Sequence, residues 1–300
     1  LYSMRHLTII FVLLFTAVAY GNEVVSTFLS KVAEKAEQKA ELALNDMFDN
    51  TEIDLSGFYK GKPSYGISTI LPLYEKNNIN NFFQGHLSTQ ADIEMLNLGF
   101  VQRRSFFENK LLVGYNFFYD LDLDNSHERF GIGTDMLTSL GDIHLNYYDA
   151  ITDYVVVNGL KEYTLDGFDA QIAFPLPYLP SSKIYAEVFS WNGINSSRDL
   201  EGETLSIKNK LPYGMSLEFG KTSFDQLSRD EEFVNLNINL FEFKKTKQPL
   251  SSELRKMYST VPYELYNFTD VDDRKYEKVR RENKIKKQTN RTGIVKIVGY

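Results

Sequence analysis

Cysteine is missing from all 300 residues, which excludes disulfides, thiolate metal sites, cysteine nucleophiles and a cysteine-linked lipid anchor. Such a chain can cross an oxidising compartment without forming bridges. Beyond the N-terminus no run is long and apolar enough to span a bilayer as a helix. Histidine is scarce: His6, His86, His127 and His144 are the whole set, and none stands in a metal-ligand spacing. There is no phosphate-binding glycine loop either. The formal charge of −7 argues against nucleic acid as a partner. Asp120 and Asp122 share a strand face, but a structural ion network with Arg129 and Arg103 explains them better than acid–base work. His127 at a hairpin turn reads as a local hydrogen-bonding group. No enzymatic activity and no cofactor is expected.

What is plentiful is aromatic, with 22 Phe and 19 Tyr against a single Trp. The first residues read as an export signal over 1–21: Arg5 gives a basic flank, "LTIIFVLLFTAVA" an apolar run and "AYG" a small-x-small cleavage site. Met4 reads as the start. Residues 22–50 follow as an amphipathic helix, with Phe28, Val32, Ala36, Ala40, Ala43 and Met47 recurring at three- and four-residue steps opposite Lys and Glu.

From Thr51 the period changes to two, over twelve segments: 51–59, 64–74, 81–90, 93–104, 109–122, 128–139, 141–149, 162–174, 183–192, 203–211, 213–223 and 231–243. In "YGMSLEFG" (213–220), Tyr, Met, Leu and Phe alternate with Gly, Ser, Glu and Gly. In "VNLNINL" (234–240) asparagine occupies every second place. A soluble sandwich would crowd its polar face with Lys and Glu. Here that face is Gly, Asn, Ser and Gln with sparse charges of both signs, among them Asp120, Arg129, Asp135, Asp169, Glu187 and Glu218. Segments of nine to eleven residues suit tilted strands crossing a bilayer, and a closed barrel leaves no unpaired backbone in lipid. Joins alternate between tight, as at "YG" (213–214), and long and polar, as over 149–163 and 192–202. The expected fold is therefore all-β, a closed 12-stranded antiparallel transmembrane β-barrel over 51–243. A short periplasmic helix precedes it and a linker over 244–300 follows.

One stretch carries a further identification. "GYNFFYDLDL" followed by "HERFGIGTDM" resembles the inverse autotransporter β-domain, the translocator shared by intimin and invasin. Its G-x-N-x-F-Y-D-x-D segment falls on Gly114, Asn116, Phe118, Tyr119, Asp120 and Asp122. Its H-x-R-x-G-x-G-x-E segment falls on His127, Arg129, Gly131, Gly133 and Asp135, the last replacing the usual glutamate. "LPLYE" (71–75), "NLGFVQR" (97–103), "LNYY" (145–148) and "GFDAQIAFPLPYLP" (167–180) extend the likeness over roughly 48–250. Gln171 departs from the family's arginine, no peptidoglycan-binding repeat precedes the barrel, and no array of immunoglobulin-like domains follows it.

The resemblance implies an outer-membrane barrel with a periplasmic N-terminus and a following segment threaded through its lumen. It implies a translocator that exports and anchors its C-terminal segment, related to adhesins. Partners would be outer-membrane lipid and lipopolysaccharide, the barrel-insertion machinery, and a host or cell-surface receptor through a missing passenger. Gly114, Gly131 and Gly133 would leave room for the thread. Asp120, Arg129, Asp135, Asp169 and Glu218 would form a charge network in the lumen. The polar run "KKTKQPLSSELRKMY" (244–258), with a cap at Ser251 or Ser252, reads as the threading segment or as a basic periplasmic tail. Residues 274–291 hold nine Lys or Arg against two Glu; they read as a site for lipopolysaccharide phosphates or as a solvated helix face leading into a missing domain. Two rivals stand beside the translocator. One is a passengerless pore for small solutes, or a structural barrel with a periplasmic tail. The other is a fragment of a longer adhesin gene.

Overall fold

The computed structural model describes residues 51–56, 64–90, 93–195, 197–225, 230–240, 267–291 and 294–298. In chain order its strands are β1 (Thr51–Ser56), β2 (Ser64–Lys76), β3 (Ile79–Gln90), β4 (Ile93–Phe106), β5 (Leu111–Asp122), β6 (Glu128–Thr138), β7 (Asp142–Ala150), β8 (Tyr154–Val157), β9 (Leu160–Thr164), β10 (Gly167–Leu176), β11 (Leu179–Trp191), β12 (Leu200–Lys210), β13 (Met215–Phe224), β14 (Glu231–Asn239), β15 (Lys287–Arg291) and β16 (Ile294–Val298). Twelve of them close into an antiparallel barrel in the order β1-β14-β13-β12-β11-β10-β7-β6-β5-β4-β3-β2. The other four form a separate sheet, β16-β15-β9-β8. The helix expected over 22–50 and the threading segment expected over 244–258 lie outside the described residues.

The two-residue period produces this barrel by sorting side chains between its two faces. On β5, Phe117 is 61% exposed while its neighbour Phe118 is 2% exposed. The same alternation leaves Phe100, Ile132, Leu145, Phe168, Ile172, Val188, Leu205 and Phe219 exposed on the outside. Water would be a poor solvent for so continuous an apolar face, whereas lipid accepts it. Strands of about 11 residues, rising ~3.3 Å each at a tilt of about 40°, cover the hydrocarbon thickness. Tyr65 and Tyr74, near the two ends of β2, are both about half exposed, where interfacial aromatics belong.

The two rims differ. At one, the connections are tight. Asn77 and Asn78 both take positive φ (51° and 63°), the backbone that a two-residue hairpin between right-twisted strands demands and that asparagine tolerates. At this turn rim also lie the start of β1 and the end of β14, which pair antiparallel through Glu52 and Asn239. The opposite, loop rim carries the longer joins. One of them, between β7 and β10, folds as the hairpin β8–β9. The two-residue period predicts a single strand over 162–174; the structure breaks it at Leu165–Asp166, because β9 turns away to pair with β15 while β10 enters the barrel.

Candidate functional site

Eight strands make a barrel that side chains alone can fill, and twelve make a wider one. The filler here is the chain itself. Asn267 and Val271 sit at the turn rim, where Ser139 Oγ donates to the Asn267 carbonyl at 2.8 Å and Val271 N donates to the Asn109 carbonyl at 2.8 Å. A short 3-10 turn, Asp272–Arg274, leads inward. The chain then runs extended through the lumen and reaches the loop rim at β15, which adds to β9.

Six basic side chains of this thread find a carboxylate on the wall, while Lys286 pairs with Glu282 of the thread itself at 2.9 Å. Arg274 binds Asp142 of β7 with both terminal nitrogens, at 2.7 and 2.9 Å. Lys275 reaches Glu75 of β2 at 2.7 Å. Lys278 contacts Glu52 (3.1 Å) and both carboxylate oxygens of Asp54 (2.8 and 3.0 Å) on β1. Arg280 pairs with Glu218 of β13 and donates to Gln171 of β10, with its guanidinium 3.8 Å from the Tyr185 ring centroid. Arg281 grips Asp120 of β5 with two 2.7 Å bonds and lies over the Phe118 ring. Lys287 reaches Asp122 at 2.7 Å.

An extended chain away from any sheet must also satisfy its peptide groups, and here wall side chains do so. Arg103 Nη1 donates to the carbonyls of Arg274, Lys275 and Glu277 at 3.4, 3.3 and 2.5 Å. Arg129 donates to those of Glu282 (2.8 Å) and Lys284 (3.1 Å). Asn97 and Asn146 take those of Asn283 and Arg280. The Val279 N–H donates to Gln84 Oε1 at 2.9 Å, and its side chain packs with Ile70, Phe82, Val101 and Phe118.

The residues singled out from sequence fall as follows. Asp120, Arg129, Asp135, Asp169 and Glu218 are all buried, yet they do not form one network. Asp120 is a node, bonded to Arg129 at 2.9 Å, to Arg281 and to Asn97. Asp135 belongs to Arg103 of the wall, at 2.7 Å. Asp169 is bonded by Tyr148 Oη (2.5 Å) and Asn146 Nδ2 (2.7 Å). Glu187 accepts from Gln171 at 2.8 Å. Of the three glycines, only Gly131 clears the thread, since a Cβ there would stand 2.8 Å from Arg281 Nη2. Those at Gly114 and Gly133 would meet wall side chains instead, Asp135 and Arg103 in one case and Asn116 and Asn146 in the other. Arg281 is fixed at both terminal nitrogens and cannot simply swing aside. Gly131→Ala is therefore expected to cost about 1–3 kcal/mol, read as a lowered midpoint of denaturant unfolding in detergent.

Two sequence readings are corrected. Residues 274–289 are neither a lipopolysaccharide site nor a solvated helix face: Arg274, Lys286, Lys287, Gln288 and Thr289 are buried, and most of the basic groups are paired with wall carboxylates. His127 bonds at 2.7 Å to Thr164 Oγ1, a partner 37 positions away rather than within its own turn. Sequence reasoning missed Asp54, Asp142, Arg274, Lys278, Arg280, Arg281 and Lys287. One lumen trio looks catalytic in composition. Ser68 Oγ lies 2.7 Å from His86 Nδ1 and 2.9 Å from Asp54 Oδ2, so histidine and aspartate share the serine oxygen rather than standing in series, which is the wrong order for a nucleophile relay.

The profile described as the inverse autotransporter β-domain matches residues 16–283. No curated protein matches the chain significantly. Among solved structures, one reported in work on the in-meso crystallization of membrane proteins aligns with a TM-score of 0.64 at 18% identity, covering 80% of this chain and 98% of its own. The KdgM porin aligns at a TM-score of 0.39 and 10% identity, over 62% of this chain and 98% of its own. Outer membrane phospholipase A from Escherichia coli aligns at 0.40 and 9%, over 62% and 90%. The first shares the fold, and the other two carry no functional weight. With an apolar girdle outside and a closed twelve-stranded wall, the chain is a barrel of the bacterial outer membrane and belongs to the family of inverse autotransporter β-domains.

Proposed function

We propose that this barrel is a translocator that exports its own C-terminal segment and anchors it at the cell surface. One observation carries the reading: residues 267–289 run through the lumen from the turn rim to the loop rim and are bonded to the wall along the way. The turn rim, with both barrel ends, is the periplasmic side, and the long loops face outward. No nucleotide chemistry is called for. Folding of the barrel, assisted by the insertion machinery, carries the linker through, and closure of the strand ladder makes the anchor permanent. The exported part would serve adhesion, through a receptor not identified by this chain. Lipid and lipopolysaccharide would surround the outer girdle.

The lumen groups have separate parts in this scheme. Asp120, Asp142 and Glu218 hold the seated thread by its arginines. Arg103 and Arg129 replace the water that its carbonyls lose. A passengerless pore would require the same thread to vacate the lumen against all of these bonds. An epitope placed after Tyr300 and stained on intact cells tests the reading. Staining without permeabilisation is expected; staining only after permeabilisation would leave a barrel with a periplasmic tail.

A further inference from the structure

At its exit the thread is held by more than charge. The backbone of Lys287, Gln288 and Thr289 is added to the edge of β9, opposite Thr164, Tyr163 and Glu162, and Leu165 N donates to the Lys286 carbonyl at 3.0 Å. The hairpin that offers this edge is itself tied down, by the 2.7 Å contact between His127 Nδ1 and Thr164 Oγ1. From a different direction the fully buried Gln288 side chain engages the connection between β11 and β12. Its Oε1 accepts from Ile194 N at 3.0 Å, and its Nε2 donates to the Ile194 carbonyl (3.0 Å) and to Ser197 Oγ (3.1 Å). One residue is thus held through its backbone by one loop and through its side chain by another.

These bonds select a register, and the charge pairs select it only in part: a shift of one position that brings Glu277 opposite Asp54 still brings Arg280 opposite Asp120 and Lys286 opposite Asp122. A one-residue slip along β9, however, turns every side chain of β15 to the opposite face. It would withdraw the Gln288 amide from Ile194 and Ser197, leaving buried polar groups unpaired.

We propose that the β8–β9 hairpin, together with Ile194 and Ser197, forms a receiving site for an extended chain, one bearing a basic residue followed by a carboxamide. The site stops the thread in a single register and holds it against sliding back. Strand addition supplies sequence-tolerant bonds, and the contacts of Gln288 supply the selectivity. The proposal rests on the export reading and adds to it a defined stopping point.

The lack of native cysteine makes the register measurable. Ser139 Oγ accepts from Thr269 N at 2.9 Å at the opposite rim, so a disulfide between Ser139→Cys and Thr269→Cys reports whether the thread is seated. The full chain, carrying these two substitutions and an epitope after Tyr300, is inserted in outer membranes and oxidised. Efficient crosslinking is expected in this parent. Adding Gln288→Leu, or replacing residues 154–163 by a short turn, is expected to lower the crosslinked fraction about tenfold, in line with the loss of buried hydrogen bonds. Unchanged crosslinking with Gln288→Leu overturns the receiving site while leaving the export reading intact. A parent that crosslinks but displays no surface epitope overturns export. A parent that does not crosslink overturns the seated register itself. Should the hairpin replacement fail to insert, Gln288→Leu carries the test.

Discussion

Replacing Asp120 by alanine is expected to destabilise the barrel by about 3–5 kcal/mol, the loss typical of breaking a buried ion pair from one side. Asp120 is fully buried and holds two guanidiniums, Arg129 of the wall and Arg281 of the thread, each essentially buried as well. Its removal leaves two cations without a counter-ion and frees Asn97, which otherwise donates to it at 2.8 Å. The direction of a second substitution discriminates between explanations. Arg281→Met removes one of the two stranded cations and leaves Phe118 an apolar neighbour in place of the guanidinium. The double variant Asp120→Ala with Arg281→Met should therefore be more stable than Asp120→Ala alone. Simple loss of packing would make it less stable. Asp230→Ala serves as a control, because Asp230 and its partner Lys221 are both largely exposed and such pairs contribute little. Its unfolding midpoint should match the parent. Equal losses at Asp120 and Asp230 would sink the account of the lumen as a set of buried counter-ions.

The barrel and its contents were unequally legible in the sequence, for a physical reason. Each wall strand faces lipid on one side and the lumen on the other, so it writes its position as a period of two: Tyr115, Phe117 and Tyr119 against Gly114, Asn116 and Phe118. The thread has no such asymmetry. "RKYEKVRRENKIKK" (274–287) meets protein wall all round, so no face of it is apolar, and its composition resembles a solvated helix. What makes it extended and buried lies elsewhere, in Asp54, Glu75, Asp120, Asp142 and Glu218, spread over five strands. Each is unremarkable in its own segment. One signal was available: the inward positions carry more carboxylates than Arg103 and Arg129 can neutralise, and that excess calls for a basic filler. Hairpin β8–β9 leaves little trace in the sequence because "YVVV" is only four residues and the strand that extends the sheet beyond β9, β15, lies more than a hundred residues on. The glycine readings show the same limit. The motif marked Gly114, Gly131 and Gly133 as places of close approach, but which neighbour approaches each one depends on register and thread position together.

Lys278→Met is expected to loosen the barrel along one line only. The ring closes where β1 meets β14, and among the described residues that seam has four paired positions, from Glu52 with Asn239 to Leu55 with Leu236. β4 and β5 share twelve. On the inner face of the short seam strand stand two carboxylates, Glu52 and Asp54, two residues apart and therefore side by side. Lys278 neutralises both. Asp54 in turn accepts a hydrogen bond from Asn237 of β14 and one from Ser68 of β2 at 2.9 Å, so the ammonium sits beside the only group that ties β1 to both neighbours through a described carboxylate. Without the cation two like charges stand side by side in the lumen, and opening of the seam lets water solvate them. Bonds to charged groups are each worth about 1.5–3 kcal/mol, and a loss of about 2 kcal/mol should raise the opening equilibrium roughly 30-fold. Hydrogen exchange resolved by segment should show this as faster exchange in β1 and β14, with β4 and β5 unchanged. Asp54→Asn added to Lys278→Met should recover most of the protection, since it removes the repulsion while keeping an acceptor for Asn237. Exchange that accelerates uniformly around the barrel would mean that the thread supports the wall as a whole and that the seam has no special dependence on Lys278.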